Sequence, residues 1–141
     1  MKFIVPAVLL LVAAIHALPL VGVLGASKLS SLYGIEVQGP NLEILLRHRA
    51  VLFGLLAALL TYCAFQPQLH RLGLVAAFVS VATFLAFAQI VGGYNSSLAT
   101  IVRVDIIALV LLIIGGTVHV LRPSTGQPLA QAERQRPRRQ P

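Results

Sequence analysis

The stretch AVLFGLLAALLTYCAF, residues 50–65, decides the fold class of this chain, because it carries no polar face at helical period. A helix of a soluble bundle needs one polar stripe facing water. Three further runs have the same character: residues 3–24, 72–91 and 101–121. Each is close to the roughly 20 residues that a helix needs to cross a hydrocarbon core about 30 Å thick. Strands of a membrane barrel would alternate every second residue over about ten residues. These runs do not alternate and are longer. In lipid the backbone must satisfy its own polar groups, so the expected architecture is a bundle of membrane-spanning helices.

Composition agrees with that reading. Hydrophobic residues make up 57% of the 141 and charged residues 11%, against roughly 25% charged in a soluble domain. The lone cysteine, Cys63, lies within the second run. It has no intrachain partner for a disulfide and no Cys-x-x-Cys pair, which excludes four-helix thiol oxidoreductases of the vitamin K epoxide reductase kind. Cys63 therefore reads as a small apolar residue inside a span. The first run follows Met1-Lys2, as a secretory signal would, and Val23-Leu24-Gly25 resembles a cleavage site. Its length exceeds the roughly 7–15 residues of a signal core, however, so it is expected to stay as a span.

The breakers between runs set the elements. Ser27 or Ala26 can open a short helix ending at Tyr33, with Leu29, Leu32 and Tyr33 on one side and Gly34 as its stop. Such a segment is expected at the membrane interface, with Tyr33 at headgroup depth. Gly39-Pro40-Asn41 begins the next helix, which runs unbroken to Gln66-Pro67. Glu43 and Arg47 on it are four apart, in the favourable order for a helical ion pair. The short connection 66–71 makes the second and third spans antiparallel neighbours. Gly54 with Ala58, Gly73 with Ala77 and Ala76 with Ser80 offer small residues for close packing. Gly92-Gly93 ends the third span, and Asn95 or Ser96 can cap the fourth. The expected fold is thus all-α: an integral membrane four-helix bundle over residues 1–123, with spans near 3–24, 49–66, 71–93 and 101–121. A disordered basic tail, residues 124–141, rich in Pro, Gln and Arg, follows it.

Together with Arg122, that tail supplies five of the eleven basic residues, set against one acid, Glu133. Arginines beside a bilayer orient a protein and touch anionic lipid, so no nucleic-acid partner is expected. With both termini on the cytoplasmic side of an inner membrane, that side holds Lys2, Arg71, Arg122, Arg134, Arg136, Arg138 and Arg139. The other side holds only Lys28, Arg47, Arg49 and Arg103, as the positive-inside bias requires. This topology gathers His16, Glu43, Arg47, His48, Arg49, Gln89, Tyr94, Asn95, Arg103 and Asp105 at one outer level.

Asp105 is the only acid within an apolar run, and Arg47 or Arg49 of the second span is its expected partner. Intramembrane ionisable groups face the interior and pair with one another. Three readings stay open: an ion pair that fixes helix packing, a ligand- or substrate-binding pocket built from the same groups, or proton or ion coupling. His16 reads as a packed histidine bonded to a neighbouring helix. The histidines split between the two ends and offer no metal spacing. No phosphate-binding loop, dinucleotide fingerprint, zinc-protease helix or nucleophile elbow occurs, so no catalytic residue, metal or cofactor is expected.

Residues 32–35 (LYGI), 47–54 (RHRAVLFG), 91–95 (VGGYN) and 103–105 (RVD) resemble a family of small bacterial four-span proteins, broadly DoxX-like in layout. The resemblance covers about residues 1–121 and implies an inner-membrane four-helix protein. Some similar proteins carry the label phosphopantetheine adenylyltransferase. That enzyme class is a soluble nucleotide-binding α/β fold with a His-x-Gly-His-type motif, and this chain has neither. DoxX-type relatives are linked with quinone or sulfur redox chemistry, for which no redox residue pair is present here. The expected function is that of a non-enzymatic inner-membrane protein, either structural or binding a small lipophilic molecule in the outer-facing pocket. The alternatives are a small transporter acting as a homodimer and, more weakly, a quinone-linked redox subunit. Four-span multidrug transporters depend on an acid in the first helix, where this chain has His16 instead.

Overall fold

A computed structural model describes residues 3–121, and the basic tail expected at 124–141 lies outside the described residues. All regular elements among the described residues are helical: α1 (Ile4–Ala17), α2 (Ala26–Tyr33), α3 (Pro40–Phe65), α4 (His70–Val91) and α5 (Ser96–Val120). Two 3₁₀ segments, Leu18–Leu24 and Pro67–Leu69, lead into α2 and α4. Four continuous helical stretches are long and apolar enough to cross a membrane: Ile4–Leu24, Pro40–Phe65, Pro67–Val91 and Ser96–Val120. At about 1.5 Å rise per residue, a 25-residue helix covers more than the roughly 30 Å of a hydrocarbon core.

The breakers act where their chemistry demands. Gly34 stops α2 in the left-handed conformation, with φ 63°, and its N–H bonds the Ser30 carbonyl. A Cβ there would also fall 2.6 Å from Ser97 Oγ, so both backbone and space favour glycine. Pro40 occupies the first turn of α3, where a missing N–H costs little. Asn95 caps α5, its side-chain oxygen accepting from the Leu98 N–H at 2.9 Å.

One departure from expectation concerns the first run, which is α-helical only to Ala17 and then tightens into the 3₁₀ form as far as Leu24. Pro19 supplies the reason: it has no N–H to give the Ile15 carbonyl, and its ring crowds the preceding turn.

The core explains why α1 lies at the centre of the bundle. Val5, Val8, Leu9, Val12 and Ala13 of α1 are buried against Leu60, Cys63 and Ala64 of α3, Leu74, Ala77 and Val81 of α4, and Ala108 and Leu112 of α5. α1 packs on α3, α4 and α5 and is the most buried of the four long helices. Close approach depends on glycine at two seams. A Cβ on Gly73 would meet Cys63 Cβ at 2.8 Å, and one on Gly115 would meet Val8 Cγ1 at 3.2 Å. Of the small pairs expected to pack, Gly73 and Ala77 are both buried. Gly54 receives Leu20 of the 3₁₀ segment, and Ala58 is exposed. The outward surface remains apolar, with Leu55, Phe65, Phe87, Ile90, Val91 and Ile107 all more than half exposed.

Candidate functional site: a chamber and a groove at one end of the bundle

The helices alternate in direction, so the C-terminal part of α1 meets the N-terminal parts of α3 and α5 and the C-terminal part of α4. Between them lies a cavity of about 180 Å³. Its wall takes Ile15 and His16 from α1, Leu32 and Tyr33 from α2, Arg49 and Phe53 from α3, Phe84 from α4, and Thr100, Ile101, Val104 and Asp105 from α5. Leu18 and Pro19 of the 3₁₀ segment complete it. A second cavity of about 490 Å³ adjoins it and shares Arg49, Phe53 and Phe84 as a common wall.

His16 is buried and locked from both sides. Its Nδ1–H donates to the Val12 carbonyl at 2.9 Å, and because a carbonyl can only accept, that bond assigns the tautomer. Nε2 is hydrogen-bonded to Ser80 Oγ of α4 at 3.1 Å. The ring also tilts against Phe53, with centroids 5.7 Å apart. These bonds tie α1 to α4 at the level of the chamber.

Arg49 is held differently. Its guanidinium lies 5.1 Å from the ring centre of Phe53, 5.6 Å from Tyr33 and 6.0 Å from Phe84. All three distances fall within the range of cation–π attraction. Among the described residues it makes no hydrogen bond or ion pair. Asp105 lines the same chamber as His16 and Arg49. It too has no hydrogen bond or ion pair among the described residues. The cation and the anion therefore share a chamber without being joined. Arg47, the other candidate partner for Asp105, points outward and pairs with Glu43 at 3.2 Å.

Tyr33 is buried, and its hydroxyl has no hydrogen-bond partner among the described residues. Burial pushes the phenol up from its ordinary value, and the Arg49 guanidinium pulls it partly back. The hydroxyl thus keeps its proton at neutral pH and is available as a donor. Asn95 fixes the helix that carries it: its Nδ2 donates to the carbonyls of Tyr33 and Gly34, each at 3.0 Å. One side chain therefore caps α5 and clamps the end of α2 beside the chamber.

The residues expected to gather at this level divide by direction. His16, Arg49 and Asp105 face the chamber, Tyr94 lines the adjoining groove, and Asn95 clamps α2. His48, Gln89 and Arg103 are exposed, as is Arg47 in its pair with the half-buried Glu43. Sequence reasoning did not place Phe53, Phe84 or Thr100 in the site. Its only advance signal for Tyr33 was the apolar side of the short helix. At the opposite end, His70 bonds the Ala64 carbonyl at 3.3 Å and meets His119 edge to face. No group of three or more metal-ligating side chains occurs among the described residues.

Comparisons with protein-family models, with curated proteins and with solved structures found no match to this chain.

Proposed function

We propose that this chain is a multi-pass inner-membrane protein, DoxX-like in layout and with both termini cytoplasmic, that binds a small lipophilic molecule carrying a polar group. The short helix α2 lies at the membrane interface and roofs the binding chamber. The observation that carries this reading is the unjoined pair: Arg49 and Asp105 line one chamber, yet neither bonds the other or any other described residue. A carboxylate within an apolar run, as Asp105 is, is costly without a partner. A pair serving only to fix packing would close to a direct hydrogen-bonded bridge, which is the arrangement that offsets desolvation.

The chamber specifies the chemistry of its occupant. Arg49 and the Tyr33 hydroxyl are donors, and the Asp105 carboxylate is an acceptor. A neutral molecule with an acceptor oxygen for the first two and a hydroxyl or N–H for the third satisfies all three. Ile15, Leu32, Ile101 and Val104 supply the apolar remainder of the wall, as small-molecule sites commonly do. Each bond to a charged group contributes about 1.5–3 kcal/mol, so losing either one weakens binding by about tenfold or more.

Native mass spectrometry of the full chain released from mild detergent tests this. The expected result is a bound small molecule in the unchanged protein, lost in Arg49→Gln and in Asp105→Asn while helical content is kept. An unchanged protein that carries no such mass, or variants that retain it undiminished, would overturn the proposal.

A further inference from the structure

The second cavity has a different chemistry from the first. Arg49 is its only charged lining residue, since Asp105 faces the chamber alone. Its two deeper hydroxyls are already engaged: Ser80 is bonded to His16, and Thr83 donates to the carbonyls of Val79 and Ser80. That leaves the deeper part apolar in effect, walled by Phe53, Phe84, Phe87 and Ala88. Tyr94 lies at its rim, beyond the end of α4.

The groove also opens sideways. Phe87 is 66% exposed and Val91 80% exposed, and on a membrane-spanning α4 those faces meet lipid. Arg49 immediately precedes the apolar run 50–65, which puts it at the boundary between hydrocarbon and headgroups. From Tyr94 through Val91, Phe87 and Phe84 to Ser80, the groove therefore descends along α4 from headgroup level toward the bilayer interior.

We infer that this groove is a second binding site, for an anionic phospholipid of the surrounding leaflet. The lipid phosphate sits on the Arg49 guanidinium where it lines the groove, with Tyr94 at the rim, and one acyl chain lies along Phe87 and Phe84. Guanidinium and phosphate match in charge and in fork geometry. Arg49 is common to both cavities, so the lipid neutralises the cation from one side while the chamber ligand meets it from the other. The inference rests on the membrane reading above but not on the chamber ligand.

The chain contains no tryptophan, so Phe87→Trp gives a single tryptophan inside the groove, excited selectively beyond the tyrosine absorption band. Its quenching is measured in bilayers containing either phosphatidylglycerol or phosphatidylcholine with brominated acyl chains. The expected result is half-maximal quenching at a several-fold lower mole fraction of the brominated phosphatidylglycerol. Adding Arg49→Gln removes the preference, and adding Arg49→Lys keeps part of it. Equal quenching by the two lipids in the Phe87→Trp protein, with helical content intact, would overturn the inference. So would a preference that survives Arg49→Gln. Asp105→Asn, which does not line the groove, leaves the lipid preference unchanged while removing the chamber ligand. The two proposals can therefore fail separately.

Discussion

Replacing Gly73 by alanine tests the packing that positions everything else. The new methyl carbon would lie 2.8 Å from Cys63 Cβ and 3.1 Å from Leu9 Cδ2, well inside the roughly 3.5–4.0 Å of relaxed carbon contact. The nearest neighbour is a Cβ fixed to the α3 backbone, so a change of rotamer cannot relieve it and α3 and α4 must part. Overpacking of this kind costs about 1–3 kcal/mol, while alanine regains about 0.8–1.0 kcal/mol of helix propensity over glycine. The net expectation is a loss of up to about 2 kcal/mol. Gly116 on α5 is the internal control, because a Cβ there meets nothing within 4 Å. Gly116→Ala should stabilise by up to about 1 kcal/mol. The assay is loss of far-UV circular dichroism as denaturing detergent is titrated into mixed micelles. Cys63→Ala should fail to rescue Gly73→Ala, because it retains the offending Cβ, whereas Cys63→Gly should rescue it. A coupling of about 0.5–3 kcal/mol in that double-mutant cycle is the expected signature. Equal stabilisation by both glycine replacements, with no coupling to Cys63→Gly, would refute the described seam.

Other substitutions probe the site. Asn95→Ala removes the α5 cap and both bonds to the end of α2, and should cost about 1–3 kcal/mol; hydrogen exchange should rise first at the α2 amides. Tyr33→Phe removes a buried unpaired hydroxyl and keeps the ring over Arg49, so ligand-free protein should gain about 1 kcal/mol, whereas calorimetric affinity for the chamber ligand should fall by several-fold. Glu43→Ala or Arg47→Ala should change stability by less than about 0.5 kcal/mol, since their bridge is exposed and within one helix; the same detergent titration measures it.

The sequence revealed membrane level more readily than direction around each helix. Gly34, Gly39-Pro40, Gln66-Pro67, Gly92-Gly93 and Asn95 act locally, through backbone freedom or a missing N–H, so the helix ends could be read directly from them. The order of those ends then brought His16, Arg49 and Asp105 to one level. Direction could not be read the same way, because helices apolar on all sides carry no stripe to mark the interior. Gln89 and Arg103 share the level of the site yet face outward, and Arg47 and Arg49, two residues apart, go to opposite fates. Phe53, Phe84 and Tyr33 come from three separate helices, and only the tertiary arrangement selects them from the other aromatics. The tightening of the first span after Ala17 had a signal in Pro19 that the length of the apolar run concealed.

The central claim is that Arg49 and Asp105 are held apart for a third party. A density map from crystals of the full chain grown in a lipidic mesophase addresses it most directly. The account predicts density that belongs to no residue of the chain, filling the chamber and within hydrogen-bond distance of both side chains. A direct Arg49–Asp105 bridge closing an otherwise vacant chamber would contradict it and assign the pair to packing alone.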